Sequence, residues 1–207
     1  MSDLTLYHAG PSPFARKVRV AAIELGTMQR ITLVEQHVAP GKENAAYARD
    51  TNPLKRIPAM RLEDGCTLLD SGLICTYLNE QANGTLVPAG GDIRWQVLNV
   101  LAVADGLTEL AVAMRYETAV RPEDKRWDAW SDDQREKIVN ALDWLEAHAD
   151  DIAHDVPDLA GIAIVCALDY LDFRHPAVGW REGRDKLVAL HAGFADRESF
   201  ASTAPGG

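Results

Sequence analysis

Apolar positions along this chain change their period once, and the change divides it in two. Over the first eighty residues, short runs of strand character alternate with helical spacing. Leu4–Tyr7 reads as a strand; after it Val18, Ala21, Ala22 and Leu25 recur three and four residues apart, predicting a helix over Pro13–Leu25. Pro13 suits the first turn of that helix and Gly26 its stop. Ile31–His37, rich in β-branched residues, predicts a second strand, and Lys42–Asp50 a short helical segment. Ala59–Leu62 and Cys66–Leu69 flank Asp64-Gly65, a two-residue hairpin signal, and Ser71 is suited to cap a helix running to about Gln81. The order is βαβαββα, which implies a sheet with both parallel and antiparallel pairs.

Ala82–Gly91, with Asn83-Gly84, Pro88 and Gly90-Gly91, reads as a linker. Beyond it every segment has helical spacing: Asp92 to about Glu117, Asp132–Asp150, Leu159–Phe173 and a last one near Asp185–Ala195, before a frayed Ala204-Pro205-Gly206-Gly207 tail. The predicted organisation is an α/β domain over 1–81, a linker over 82–91 and an all-helical domain over 92–207.

Composition narrows the function classes. At 207 residues with 47% hydrophobic content, the chain can bury one large or two small cores. Met1-Ser2-Asp3 opens without a basic leader and no apolar run nears the ~18 residues of a membrane helix, so a soluble, cytoplasmic protein is expected. Cys66, Cys75 and Cys166 are odd in number and lack C-x-x-C spacing, arguing against a disulfide framework, a zinc ribbon or a dithiol centre. His8, His37, His148, His154, His175 and His191 have no metal-ligand spacing either, so no metal is expected.

The net charge of −10 is unevenly spread: residues 1–80 are neutral, with nine basic and nine acidic side chains, and all the excess acid lies in 81–207. That excludes a nucleic-acid footprint, which needs a basic face. The neutral part, with Arg16, Lys17, Arg19, Lys42, Lys55, Arg56 and Arg61 as a solvated rim, suits a small anionic ligand.

Ser12 is the sharpest candidate, because Ser12-Pro13-Phe14-Ala15-Arg16 sets a hydroxyl where a strand passes into a helix. A helix start has unpaired N–H groups and partial positive charge. With Asn52-Pro53-Leu54-Lys55-Arg56-Ile57-Pro58 and Asp70-Ser71 in the same order and gaps, and with Leu159-Ala160-Gly161-Ile162-Ala163, Tyr170-Leu171-Asp172-Phe173-Arg174 and Glu198-Ser199-Phe200 further on, the chain resembles the cytosolic glutathione transferases over nearly its whole length. The segment at Ser12 is similar to their serine-type active-site helix.

The resemblance implies a thioredoxin-like first domain that binds glutathione and an all-helical second domain. It implies a homodimer, a cis Ile57-Pro58 bond and a small hydrophobic electrophile as second substrate. By it Ser12 stabilises the glutathione thiolate. Ile57 and Pro58 hold the tripeptide main chain, Asp70 and Ser71 grip its γ-glutamyl end, Lys42 reaches the glycyl carboxylate, and Phe14 belongs to the site. Tyr7 is the alternative to Ser12, since related transferases with a catalytic tyrosine carry it at a comparable place. The electrophile pocket is expected between His8 to Pro11 and the helix end near Arg115-Tyr116. Dehalogenation, ether cleavage, isomerisation, and a non-catalytic role binding a protein partner are the rival readings.

The chemistry agrees. A thiol with pKa near 8.5 is only ~3% ionised at pH 7, and a drop of about two units needs roughly 2.7 kcal/mol of preference for the anion. A hydroxyl donating to a charged acceptor contributes ~1.5–3 kcal/mol and a helix N-terminus ~0.3–1. One departure stands out. The buried helix has Asp158 followed by Gly161 where the family carries Ser or Thr and then Asp, so half of a capping box is missing, and Gly161→Asp is expected to stabilise the chain.

Overall fold

The computed structural model describes residues 4–152 and 156–206. Met1-Ser2-Asp3, His154 and Gly207, which entered the reading above, lie outside the described residues. The chain divides into two compact units, residues 1–86 with 198–207, and residues 87–197.

In the first unit β1 (Leu4–His8), α1 (Pro13–Glu24), β2 (Ile31–Glu35), α2 (Ala45–Asp50), β3 (Ala59–Arg61), β4 (Thr67–Leu69) and α3 (Ser71–Gln81) follow in order. The sheet runs β2-β1-β3-β4, with β1 and β2 parallel and the other two pairs antiparallel. Strand alternation divides β1: Leu4 and Leu6 are buried, while Thr5 and Tyr7 point to the other face. The hairpin between β3 and β4 is longer than Asp64-Gly65 alone suggested. Leu62 N–H bonds the Cys66 carbonyl at 2.8 Å, enclosing three residues, with Gly65 in the left-handed region at φ 86°. Asp64 closes the turn by accepting the Cys66 N–H at 2.8 Å, as aspartate does in turns.

The last ten residues belong to this first unit rather than to the helical one, which corrects the 92–207 boundary. The cause is Arg16. It is buried, not part of a solvated rim, and its guanidinium donates to the Thr203 hydroxyl and the Phe200 carbonyl, both at 3.3 Å. A short helix, α8 (Glu198–Ala201), carries Phe200 to it, and Ser199 hydrogen-bonds the Glu24 carboxylate. Lys17 is buried as well.

The second unit is helical: α4 (Gly91–Arg115), α5 (Asp128–Ala147), α6 (Leu159–Arg174) and α7 (Asp185–Ala195). By length and composition α4 could cross a membrane, its mean hydropathy reaching 1.6 over an 18-residue window, contrary to the reading of isolated apolar runs. It packs against α5 and α6, and Leu107 on α4 is fully buried, as are Ile138, Leu142 and Leu145 on α5. Every residue from Leu159 to Leu168 of α6 is buried, which fits a helix apolar all round.

A π-helical turn over Tyr116–Val120 follows α4. The segment after it is pinned by the buried Glu117 carboxylate, which takes the Arg121 side chain and the Trp127 N–H. That anchor lets α5 begin at Asp128, four residues before its apolar period suggests.

Candidate functional site

The strand registers bring the predicted site residues to one edge of the sheet. Tyr7 pairs with Ala59 and Ala59 with Leu69, so the chain leaving β1 toward Ser12, the chain entering β3 through Ile57 and Pro58, and the chain leaving β4 into Asp70 and Ser71 share that edge. His8 pairs in parallel with Glu35, so the segment carrying Lys42 also starts there. Both α1 and α3 begin at this edge and pack side by side. Their N-terminal N–H groups and positive dipole ends therefore face the same way, a setting for anions.

Ser12 is the N-cap of α1. Its Oγ accepts the Ala15 N–H at 3.2 Å, and its own N–H bonds the Ala9 carbonyl at 3.0 Å. A hydroxyl has one donor proton and two acceptor sites. The cap uses an acceptor site, and no acceptor among the described residues takes the Ser12 O–H, which is left to donate. Phe14 is half-buried, with the Lys17 ammonium 5.9 Å from its ring. Tyr7 is engaged elsewhere: its ring meets Tyr47 edge-on at 5.7 Å and lies 5.6 Å from the Arg61 guanidinium. Among the described residues no hydrogen-bond partner reaches the buried His8 Nδ1, and burial, aided by Arg19, holds the imidazole below its usual pKa.

The Ile57-Pro58 peptide bond is cis, and Pro58 is buried. The loop before it is braced by two residues that the sequence reading did not single out. Asn52 Nδ2 donates to the Arg56 carbonyl at 2.7 Å while its Oδ1 accepts the Leu54 N–H at 2.9 Å. The Tyr47 hydroxyl donates to that same carbonyl at 2.8 Å. Burial, with the Tyr7 phenol nearby, pushes Tyr47 up to about 12, so it stays a protonated donor. The Asn-Pro turn signal marked the loop; nothing local could mark Tyr47, nine residues from the carbonyl it holds.

At α3 the cap is Asp70 rather than Ser71. The Asp70 carboxylate accepts the Gly72 and Leu73 N–H groups at 2.8 and 3.1 Å, and Ser71 is the first helical residue, 3% exposed. Asp70 has φ 80° and ψ 133°, a backbone region that side chains with a Cβ rarely adopt. Strain of this kind costs ~1–3 kcal/mol and clusters at ligand clamps. Lys42 is exposed, its N–H bonded to the Ala39 carbonyl at 3.1 Å.

Among the described residues one group has metal-ligand chemistry that sequence spacing did not reveal: Asp169, Asp172 and His191 bring ligand atoms within 4.8 Å of one another. Asp172 already accepts the Trp180 indole N–H at 2.9 Å and both prongs of Arg181 at 2.6 and 2.7 Å. Asp169 holds the His191 ring at 2.6 Å. These bonds make an ion-paired tie between α6 and the segment reaching α7.

A βαβαββα unit whose helix starts, braced loop and strained cap meet at one sheet edge, followed along the chain by a helical unit, defines a thioredoxin-like binding domain joined to a helical one. Residues 11–81 match the family described as Glutathione S-transferase, N-terminal domain, and residues 128–193 that described as Glutathione S-transferase, C-terminal domain. Over 197 residues the chain is 34% identical to the "Uncharacterized GST-like protein YibF" of Escherichia coli strain K12, spanning 94% of this chain and 95% of that one. It is similar to the crystal structure of a glutathione transferase family member from Pseudomonas fluorescens Pf-5 with bound glutathione, at TM-score 0.94 and 42% identity over 99% of this chain and 100% of that one. A second Pseudomonas fluorescens Pf-5 structure, with bound S-(propanoic acid)-glutathione, gives TM-score 0.89 and 40% identity over 98% and 100%. The chain belongs to the glutathione S-transferase family.

Proposed function

We propose that the protein is a glutathione transferase that uses Ser12 to hold the glutathione thiolate and add it to a small hydrophobic electrophile. The observation that carries this is the free donor proton of Ser12 at the start of α1, beside a helix start at Ser71 on the same sheet edge. The hydroxyl and the helix end together supply the roughly 2.7 kcal/mol that moves the thiol pKa by about two units. The thiol proton goes to solvent as the thiolate forms; sulfur then attacks the electrophilic carbon, and the bond from that carbon to its leaving group breaks, the group departing as an anion. Two similar proteins that hold glutathione or its propanoic acid conjugate support the co-substrate.

In this reading the tripeptide lies extended along Ile57, with Pro58 beneath it, pairing with main-chain N–H and C=O groups as an added strand does. Ser71 receives the γ-glutamyl carboxylate with its hydroxyl and N–H, and Asp70 takes the ammonium on the carboxylate face not used by its cap. Phe14 flanks the sulfur end and Lys42 meets the glycyl carboxylate. A cytoplasmic homodimer goes with the family resemblance; sedimentation giving a single-chain mass would remove the dimer.

Ser71→Ala should weaken glutathione by ~1–3 kcal/mol through a lost charged hydrogen bond, read by calorimetry. No heat of glutathione binding in the unmutated protein would remove the enzyme reading. Asn52→Ala should also weaken glutathione, by roughly 10-fold, although the Asn52 side chain acts by bracing the loop before Pro58. The substitution removes one of the two donors on the Arg56 carbonyl and frees the Leu54 N–H, and about 1.4 kcal/mol of lost loop order is one decade in affinity. Unchanged affinity in Asn52→Ala would mean that the loop needs no brace.

A further inference from the structure

The C-terminal segment grips α1 at both of its ends, and α1 is the helix that Ser12 caps. At the first turn the Arg16 guanidinium turns two donors on one edge toward that segment, Nε to the Thr203 hydroxyl and Nη2 to the Phe200 carbonyl, both at 3.3 Å. The guanidinium carbon lies 6.0 Å from the centre of the Phe200 ring. The Thr203 hydroxyl is itself aimed, because its one proton goes to the Ser199 carbonyl at 2.7 Å and leaves the oxygen to accept from Arg16. At the last turn Ser199 hydrogen-bonds the carboxylate of Glu24, the final residue of α1. Arg16, Ser199, Phe200 and Thr203 are each at most 3% exposed, so water does not compete for these bonds.

Arg16 also holds Ser12 through the main chain. Its N–H donates to the Ser12 carbonyl at 3.0 Å, opening the hydrogen-bond ladder of α1, while Ser12 Oγ accepts the Ala15 N–H at 3.2 Å. One residue therefore joins the end of the chain to the residue whose O–H is left to donate. The other support of α1 is apolar: Val18, Val20, Ala21 and Ala22 are fully buried, and α1 packs on α3. Apolar contacts hold a helix down, but they are non-directional and leave its rotation and its slide along its own axis loosely set. A planar guanidinium fork on two fixed oxygens sets both. That matters at Ser12, because a reacting group misplaced by about 1 Å costs up to ~100-fold in rate.

We propose that Arg16 is a positioning residue for Ser12, with the segment from Ser199 to Thr203 as the fixed seat of its guanidinium. The end of the chain then sets the geometry in which Ser12 meets the thiolate. The proposal deepens the transferase reading and rests on it.

The test removes one hydroxyl, far from Ser12 along the chain, in the full-length protein. Thr203→Val keeps the shape of the side chain and deletes the acceptor of Arg16 Nε, whereas Thr203→Ser keeps the acceptor. With glutathione and 1-chloro-2,4-dinitrobenzene, read well below the melting transition, Thr203→Val should lower kcat ~3- to 10-fold and raise the pKa of the bound thiol by ~0.5–1 unit, seen as lost thiolate absorbance. Thr203→Ser should restore both to within about 2-fold of the parent. Calorimetric affinity for S-methylglutathione, which has no thiol to ionise, should stay within about 2-fold in Thr203→Val, since Ile57, Asp70 and Ser71 lie off α1. In a Ser12→Ala background Thr203→Val should add less than about 2-fold, because it acts through Ser12. A Thr203→Val protein that melts lower yet keeps the parent's kcat and thiol pKa overturns the proposal, as does an equal further loss on top of Ser12→Ala. If Thr203→Val fails to fold, Arg16→Lys, which keeps a cation without the fork, must show the same pattern, and parent-like values there overturn the proposal. The two failures are distinct. Where Ser12→Ala itself leaves conjugation and thiol pKa as in the parent, the reading through Ser12 falls and the proposal with it; where Ser12→Ala acts and Thr203→Val does not, the proposal alone falls.

Discussion

Ser12→Ala should cut conjugation by ~10- to 100-fold and raise the pKa of bound glutathione, seen as lost thiolate absorbance near neutral pH. The range follows from losing ~1.4–2.7 kcal/mol of the preference for the anion, at a decade in rate per 1.36 kcal/mol. The helix end stays, so activity is not abolished. The mutation also removes the acceptor of the Ala15 N–H, which costs ~0.5–2 kcal/mol of stability. Activity should therefore be read well below the melting transition. Ser12→Cys should exchange conjugation for thiol-disulfide chemistry, because a cysteine at a helix N-terminus is an activated nucleophile that forms a mixed disulfide with glutathione.

Tyr7→Phe is the control that decides between the two hydroxyls. The Tyr7 ring packs between Tyr47 and Arg61, and Phe preserves those ring contacts. Conjugation within about 2-fold of the parent is expected, well under 1 kcal/mol. Loss of conjugation in Tyr7→Phe with its retention in Ser12→Ala would reverse the roles.

What the sequence made legible was whatever short-range rules fix. Pro13 after Ser12 marked a helix start, and the apolar period marked α1, α4 and α6 to within a few residues. The mix of parallel and antiparallel pairs followed from βαβαββα. What it hid was set by partners far along the chain. Arg16 looked like one more rim cation because its partners, Phe200 and Thr203, are over 180 residues away. The same bonds moved α8 into the first unit. At Asp70-Ser71 both residues are good caps, and only the backbone, turning through φ 80°, selects the aspartate. Tyr47 was invisible, and Asn52 was marked only as part of its loop, for a different reason: both hold a main-chain carbonyl, and every residue has one.

Gly161→Asp shows how such distant packing reverses a local rule. The local rule holds at the cap itself: Asp158 caps α6, accepting the Gly161 N–H at 2.7 Å, and a carboxylate three residues on would return a bond to the Asp158 N–H while removing a helix glycine worth ~1 kcal/mol. The structure fills the room this would need. A Cβ at Gly161 would stand 3.1 Å from the Phe194 ring, 3.4 Å from Ile152 and 3.5 Å from the Asp158 carboxylate, and all three residues are buried. The new carboxylate would lose its water, press on an aromatic ring and face a like charge. Overpacking costs ~1–3 kcal/mol and an uncompensated buried charge ~3–5, so after the helix gain of ~1 the net expectation is a loss of about 3–7 kcal/mol. At roughly 2–4 °C per kcal/mol for a chain of this size, the melting temperature should fall by ~6–28 °C. Gly161→Ala separates the causes, since it adds the Cβ without the charge. It should stay within about 1 kcal/mol of the parent, the helix gain offsetting the squeeze on Phe194. A melting temperature that rises in Gly161→Asp would mean that the reciprocal cap forms after all and that the core near Phe194 gives way to it.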